Sequence, residues 1–189
     1  DPEKILSDLI KKFKVNGIFW DRRYEAKSVE RDAKIKSKFK TLNINVQTYN
    51  GKVLVEPWNI KGKQNQSLRV FTPYKNSLIG NHLIPEPLPI TKIKYHFKLS
   101  SSLKLNDLNL ISYNWMKKFD SIWNVGEKAA LIKLEKFLLN VIDDYDQDRN
   151  FPFKDGTSKL SPHLHFGEIS PTKIWNMTCN NQNYEKISN

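Results

Sequence analysis

The sequence has 189 residues, of which 39% are hydrophobic and 12% aromatic, enough to bury a core and to exclude a globally disordered chain. Its formal net charge of +11 favours an anionic partner such as nucleic acid. The single cysteine, Cys179, excludes an internal disulfide framework, and no apolar run reaches the length of a membrane span.

The first 55 residues alternate between helical and extended patterns. Apolar side chains at helical spacing predict helices over residues 2–13 and 28–42. Apolar or alternating segments predict strands over residues 15–20 and 43–49, with a shorter extended piece at 53–55. This order of helix, strand, helix, strand predicts an α/β layer built on a parallel sheet.

The rest of the chain divides into two further parts. Residues 56–112 contain scattered prolines and polar runs without a clear period, which predicts a long connection between domains. From Gly126 to Ile142 the apolar spacing is helical, and Asp155-Gly156 is typical of a turn. Ser170 followed by Pro171 predicts another helix start. We therefore expect three parts, residues 1–55, 56–112 and 113–189.

The positive charge lies entirely in the first half. Residues 1–100 hold 20 basic and 9 acidic side chains, whereas residues 101–189 hold 11 of each. Lysines far outnumber arginines, which is more typical of a compositional bias than of selected phosphate-binding forks. The sequence begins at Asp1 with no initiator Met, signal peptide or transit peptide, so we expect an internal piece of a longer, cytoplasmic protein.

A hydroxyl-rich stretch follows the Gly156 turn. Thr157, Ser158 and Ser161 place three hydroxyls and several backbone N–H groups together, and the start of a helix here would suit a phosphate. Thr and Ser hydroxyls can donate to phosphate oxygens without adding charge. From this pattern alone, an ordinary helix cap is the favoured interpretation and a phosphate site is the alternative.

Other polar groups give weaker signals. His163 and His165 form a His-x-His pair without further ligands to complete a metal site, so we interpret them as packed or hydrogen-bonded side chains. We expect no metal site. The acidic cluster that ends the 126–142 pattern is interpreted as a solvated helix end, and Arg22 and Arg23 as surface residues. The five tryptophans are interpreted as apolar anchors.

Four ordered blocks, which together span nearly the whole chain, carry a family resemblance. They are residues 20–25 with Arg31-Asp32, residues 70–74, the set Trp123, Gly126, Glu127, Ala129 and Ala130, and residues 156–170. In this order they resemble the DNA photolyase and cryptochrome family. The resemblance implies the end of a Rossmann-like α/β photolyase domain, a long linker, and the start of an all-α FAD-binding domain.

The resemblance also implies a cofactor and a substrate. The residues that would contact FAD, chiefly at its diphosphate, are Tyr145, Thr157, Ser158, Lys159, Leu160 and Ser161. Arg149 would face a phosphate of DNA that contains a pyrimidine dimer, whereas without the resemblance it would pair with nearby aspartates. In the family's repair enzymes, light-excited reduced flavin passes an electron to the flipped-out dimer, which splits. None of the catalytic residues against the lesion falls within this piece.

The departures from the family pattern set further expectations. Members with a folate antenna carry an Asn-Glu pair where this sequence has Lys27-Ser28, so the antenna chromophore stays open. The family's opening strand and helix and its later helical part are missing, so we expect this piece alone to be inactive and to bind FAD poorly. The full-length form would be a monomeric dimer-repair enzyme without membrane contact. The alternatives are a cryptochrome-type light sensor and an inactive remnant without flavin.

Overall fold

A computed structural model describes residues 1–89, 91–92, 103–108, 110, 113–119 and 121–181. The chain forms two compact units. The first comprises Asp1–Pro85 with Ser170–Trp175, and the second comprises Glu86–Ile169 with the residues from Asn176 onward.

The first unit opens with two helices and two strands in alternation. They are α1 (Pro2–Phe13), β1 (Gly17–Asp21), α2 (Ala26–Thr41) and β2 (Asn45–Tyr49). Asp1 caps α1, since its Oδ1 accepts from the Glu3 backbone N–H at 2.9 Å, and Pro2 occupies the first turn where no hydrogen bond is lost. All four elements agree with the sequence prediction to within two residues.

The two strands pair in parallel, with Ile18 opposite Val46 and Trp20 opposite Thr48. One face of this pair packs on α2, where Phe39 is fully buried. The core of this unit is Ile35, Phe39 and Val46, packed against Leu6, Ile10, Ile18, Trp20 and Ile44. The predicted α/β arrangement with a parallel sheet is therefore confirmed.

The segment after β2 differs from the prediction. Residues 54 and 55 lie in bends, so the shorter extended piece at 53–55 does not form a strand. A 3₁₀ turn at Pro57–Asn59 and an isolated antiparallel bridge between Lys61 and Ser67 precede helix α3 (Phe71–Asn81). Residues 71–81 of the predicted connection are therefore helical, which the sequence pattern did not indicate. Pro73 did not break α3 because it lies in the first turn, where its missing N–H has no helical partner.

The remaining described residues are helical or lie in loops. They form 3₁₀ turns at Leu105–Leu108, Asn114–Lys118 and Ile142–Asp144, and helices α4 (Glu127–Asn140), α5 (Tyr145–Asp148), α6 (Ser161–Phe166) and α7 (Pro171–Cys179). Parts of the predicted 56–112 connection and the tail from residue 182 lie outside the described residues.

Helix α4 supplies the buried side of the second unit. Ala130, Leu134 and Leu138 on α4 are buried, as is Ile142 just beyond it. These are the residues that the helical spacing after Gly126 predicted to share one face. The predicted cap of α7 is also present, because the Lys173 backbone N–H donates to Ser170 Oγ at 3.1 Å.

Candidate functional site

A small cavity lies between α4 and the loop of residues 155–159, which we call the hydroxyl loop. Its volume is about 90 Å³. From α4 and its end it is lined by Lys133, Lys136, Phe137 and Val141, and from the loop by Asp155, Thr157, Ser158 and Lys159. Two hydroxyls and three ammonium groups therefore border one cavity, with a single carboxylate among them.

The hydroxyl loop is held by a close backbone approach at Gly156. A Cβ atom at this position would lie 2.7 Å from the carbonyl carbon of Asp148, closer than real Cβ contacts come. Only glycine fits here without moving the backbone. The predicted turn falls slightly earlier, at residues 152–153.

The ends of the hydroxyl loop are joined by an ion pair. Lys159 Nζ lies 2.6 Å from Asp155 Oδ1, and this hydrogen bond lowers the pKa of Asp155, with smaller contributions from the charges of Lys136 and Lys133. Lys159 has a left-handed backbone, with φ of 49°. The Lys159 ammonium is thereby held at the mouth of the cavity beside the hydroxyls.

The helix expected at the hydroxyls begins later than the sequence pattern suggested. Helix α6 begins at Ser161 and has only six residues, so Thr157 and Ser158 lie in the preceding loop and cap no helix. Leu160 is 3% exposed and does not line the cavity. A ligand in this cavity would therefore meet the lining side chains of the hydroxyl loop and α4 and no helix N-terminus.

Two lining lysines were not expected from the sequence. Lys133 and Lys136 stand three residues apart on α4, where lysine is the default residue of a solvated helix face. Lys133 Nζ also lies 4.2 Å from the ring centroid of Trp123. These lysines border the cavity only because the hydroxyl loop folds beside α4, so no local sequence pattern could have identified them.

Tyr145 and Arg149 stand together at α5. The Tyr145 ring packs edge-on against Phe137, with centroids 5.7 Å apart, and Phe137 lines the cavity. The Arg149 guanidinium lies 5.5 Å from the Tyr145 ring, and its Nη2 lies 3.4 Å from Asp146 Oδ1. This ion pair is the local partnership expected without the family resemblance. Half of the Arg149 side chain stays exposed, so it can reach a further anion.

The two histidines have separate environments. His163 is 2% exposed, and its Nδ1 lies 2.5 Å from Glu168 Oε2, whereas its Nε2 has no hydrogen-bond partner among the described residues. His165 packs edge-on against Phe166. In the part of the chain that the structure describes, no three His, Cys, Asp or Glu side chains gather as a metal site would require.

A second, larger cavity of about 420 Å³ lies in the first unit, at the carboxyl ends of β1 and β2. Its walls are aromatic and cationic. They include Trp20, Tyr24 and Trp58, together with Arg22, Arg23 and Lys36. The carboxyl edge of parallel strands is where α/β proteins place their ligands. Trp58, one of the tryptophans interpreted as apolar anchors, is half exposed.

Hydrogen bonds fix the walls of this aromatic cavity. Glu56 accepts from Arg22 through one oxygen and from the Tyr24 hydroxyl, at 2.7 Å, through the other. The Arg22 guanidinium lies 5.3 Å from the Trp58 ring centroid, and burial raises the pKa of Tyr24. The indole N–H of Trp20 is buried without a partner among the described residues. A planar, anionic ligand would meet stacking surfaces and cationic side chains here.

Beside this cavity, Arg23 is occupied by its own neighbour. Its guanidinium donates to both oxygens of Glu25, at 3.1 and 3.0 Å, and this pairing lowers the pKa of Glu25 to about 2. Arg22 is likewise paired, with Glu56. Arg23 is exposed, as its predicted surface role requires, whereas Arg22 is partly buried.

Comparisons with known proteins show which proteins this chain is similar to. A family model described as DNA photolyase matches residues 1–92. A deoxyribodipyrimidine photo-lyase of Agrobacterium fabrum is 35% identical over 181 residues, covering 94% of this chain and 38% of that protein. Cryptochrome-2 of Arabidopsis thaliana is 30% identical over 165 residues, covering 84% of this chain and 27% of that protein.

The fold agrees with a solved relative. The crystal structure of a bacterial class III photolyase from Agrobacterium tumefaciens superposes with a TM-score of 0.88 and 34% identity, covering the whole of this chain and 40% of that one. The chain therefore spans less than half the length of these three relatives. Among the described residues, no helix combines the length and the apolar character that crossing a membrane requires.

Proposed function

The chain belongs to the DNA photolyase and cryptochrome family, and from this premise we propose that its full-length form repairs cyclobutane pyrimidine dimers in DNA by light-driven electron transfer from reduced FAD. The observation that carries the proposal is the cavity at the hydroxyl loop, where hydroxyls and ammonium groups face one small space. The proposal includes a monomeric, cytoplasmic enzyme, with residues 113–189 as the beginning of its helical FAD-binding part.

The hydroxyl-loop cavity suits a phosphate group in size and chemistry. Thr157 and Ser158 would donate hydrogen bonds to diphosphate oxygens, and Lys159, Lys133 and Lys136 would offset the negative charge. Ser161 and the backbone at Leu160 would extend this set, and Tyr145 would support it through Phe137. At about 90 Å³ the cavity holds no flavin ring, so the ring would be bound by residues of the full-length protein outside this chain.

The chemistry is divided between the cofactor and the protein. When bound, reduced FAD supplies on excitation the electron that opens the cyclobutane ring and afterwards receives it back. The residues of this chain orient the diphosphate end and neutralise its charge. Arg149, half exposed at α5, would bind a phosphate of the damaged strand and help to hold the flipped dimer in register.

Flavin retention by the full-length protein tests the proposal. We expect purified protein to show flavin absorbance in the blue and near ultraviolet, and Thr157→Ala with Ser158→Ala to lower the flavin content several-fold. Each lost neutral hydrogen bond costs about 1 kcal/mol, so the pair corresponds to roughly a 30-fold loss in affinity. The matched control, Thr41→Ala with Ser121→Ala, removes two exposed hydroxyls that do not line the cavity, and we expect it to leave flavin content unchanged.

A light-dependent repair assay on the same preparation distinguishes the alternatives. Loss of dimers from DNA under blue light supports the photolyase. Flavin without repair supports a cryptochrome-type sensor, which the similarity to Cryptochrome-2 favours as the second candidate. A full-length protein that never holds flavin would be an inactive remnant. The 189-residue chain alone is expected to bind FAD weakly and to be inactive.

The aromatic cavity in the first unit supports an antenna chromophore as an additional ligand. Trp20, Tyr24 and Trp58 offer stacking surfaces, while Lys36, which forms no ion pair among the described residues, favours an anionic group. Lys27-Ser28, which replaces the pair typical of folate-antenna members, lies in the first turn of α2 and does not line the cavity. A chromophore that copurifies and is lost in Trp58→Ala would identify this ligand.

A further inference from the structure

A short loop of residues 61–67, which we call the basic loop, is fastened to helix α3. Lys61 and Ser67 form an isolated antiparallel bridge that closes the loop. Ser77 on α3 is 9% exposed, and its Oγ donates to the Lys61 carbonyl oxygen at 2.7 Å and accepts from Asn81 Nδ2 at 3.4 Å. The loop is therefore held in place by a buried hydrogen bond.

Between the basic loop and α3 lies a cavity of about 750 Å³ with a mixed polar and apolar lining, in which Leu68 and Pro73 are the apolar members. The lining contains two lysines and four side-chain amides but no carboxylate. Its polar members are Lys61, Lys63, Gln64, Gln66, Asn76, Ser77 and Asn81. Within the described residues, the side-chain amides of Gln64 and Asn76 form no hydrogen bond, so both can serve a ligand.

Among the described residues, no ion pair neutralises the positive charge around this cavity. Residues 57–85 contain Lys61, Lys63, Arg69 and Lys75 and no Asp or Glu. None of these four cations forms an ion pair in the part of the chain that is described. The contrast with α2 is direct, because Lys34 there pairs with Glu30 and Lys38 with Glu3.

We propose that the basic loop and α3 form a DNA-backbone contact carried by the first unit, in addition to the contact at Arg149. Lys61 and Lys63 would neutralise phosphates, and the neighbouring amides would donate to phosphate or sugar oxygens. A lining with two lysines, four side-chain amides and no carboxylate fits this polyanion. The inference rests on the proposed function only in taking DNA as the partner.

The salt dependence of DNA binding tests the inference. A labelled, undamaged duplex is titrated with the full-length protein over a range of salt concentrations. For Lys61→Gln with Lys63→Gln we expect the slope of log affinity against log salt to become shallower by about 1.8, and affinity at 0.1 M salt to fall roughly 60-fold. Lys34→Gln with Lys38→Gln removes the same charge from paired lysines, and we expect the slope to change little.

The side-chain amides that line the cavity allow a second, independent test by the same measurement. Asn76→Ala is expected to weaken binding several-fold at an unchanged salt slope, because an amide releases no counterion. Equal slopes in the two double-lysine variants would overturn the inference. So would a wild-type protein that does not bind the duplex, or a Lys61 and Lys63 variant that loses binding to anionic lipid vesicles but keeps its affinity for DNA.

Failure of the inference can be distinguished from failure of the proposed function. Flavin content and the affinity of Arg149→Ala for dimer-containing DNA report on the second unit alone. If these behave as proposed while the basic-loop variants bind like wild type, only the basic-loop contact is excluded.

Discussion

Arg149 is an exposed cation in a half of the chain that carries no net charge. Its contacts with Asp146 and with the Tyr145 ring are both local, at one surface of α5. An exposed i,i+3 ion pair of this kind contributes little to stability. Breaking this ion pair so that the side chain contacts a phosphate of bound DNA would therefore cost little free energy.

For Arg149→Ala in the full-length protein we expect weaker binding to dimer-containing duplex and a salt slope shallower by about 0.9, the value of one phosphate contact. Fluorescence anisotropy at several salt concentrations measures both quantities. Lys128→Ala, on an exposed position of α4, serves as the charge-matched control. Unchanged affinity and slope would remove Arg149 from the DNA-binding surface.

Glu168 connects two elements through one carboxylate. It pairs with the buried His163, and this hydrogen bond lowers its pKa, with a further contribution from a backbone hydrogen bond at Gly126, the N-cap of α4. A carboxyl group whose folded pKa is lowered adds stability above its ordinary pKa of 4.5, and loses that contribution as pH falls through the folded value.

Glu168→Gln should therefore lower the free energy of unfolding at neutral pH and flatten its dependence on pH in the range below 4.5. Urea unfolding followed by circular dichroism at a series of pH values measures this. Glu135→Gln, at an exposed position of α4, should keep the wild-type pH dependence. Identical pH profiles for both variants would mean that the carboxylate at 168 does not stabilise the fold.

The sequence located some site residues and not others for a physical reason. Thr157, Ser158 and Lys159 are neighbours in the chain, so a local motif could place them in one site. Lys133 and Lys136 reach the same cavity from α4, more than 20 residues earlier. In the first unit, Trp20 and Trp58 likewise meet only through folding. Contacts of this kind depend on tertiary structure, which residue patterns on a single chain do not encode locally.

At the level of elements, strong periodicity decided what could be predicted. Helices α1, α2 and α4 carry apolar side chains at regular helical spacing, and β2 alternates, so all four were found close to their true bounds. Helix α3 was missed because Pro73 and a weak amphipathic pattern resemble a connection. Its one buried member is Ser77, a polar residue that no hydrophobic pattern would select.

The burial of Phe39 on helix α2 leads to a prediction about the free energy of unfolding. Phe39 is fully buried against β2 and α1, so Phe39→Ala should cost about 3–5 kcal/mol in the free energy of unfolding. Denaturant unfolding of the purified chain measures the loss. Phe19→Ala removes the same side chain from the exposed face of β1 and should cost much less. Comparable losses at the two positions would contradict the assignment of the core to the α2 side of the sheet.

At the scale of the whole molecule, the structure shows which of the cations behind the net charge of +11 are paired and which are not. Ion pairs within the first unit neutralise part of its positive charge, including that of Arg22, Arg23, Lys34 and Lys38. The cations from 57 to 85 remain uncompensated among the described residues. Composition alone predicted an anionic partner but could not say which cations were available to it, because pairing is set by the folded neighbours of each side chain.

The parallel pairing of β1 with β2 has a consequence for the behaviour of the isolated chain in solution. In the described residues each strand is paired on one side only, so its outer backbone N–H and C=O groups can hydrogen-bond another strand. Phe19 and Tyr49 lie exposed on one face of the same strands. We expect the 189-residue chain to self-associate as its concentration rises, and Phe19→Lys with Tyr49→Lys to keep it dispersed, as measured by sedimentation velocity. A chain that sediments as a monomer at every concentration would show that these strand edges are protected. If the expected self-association is observed, the solubility of the isolated chain is limited by its strand edges as well as by the stability of its fold.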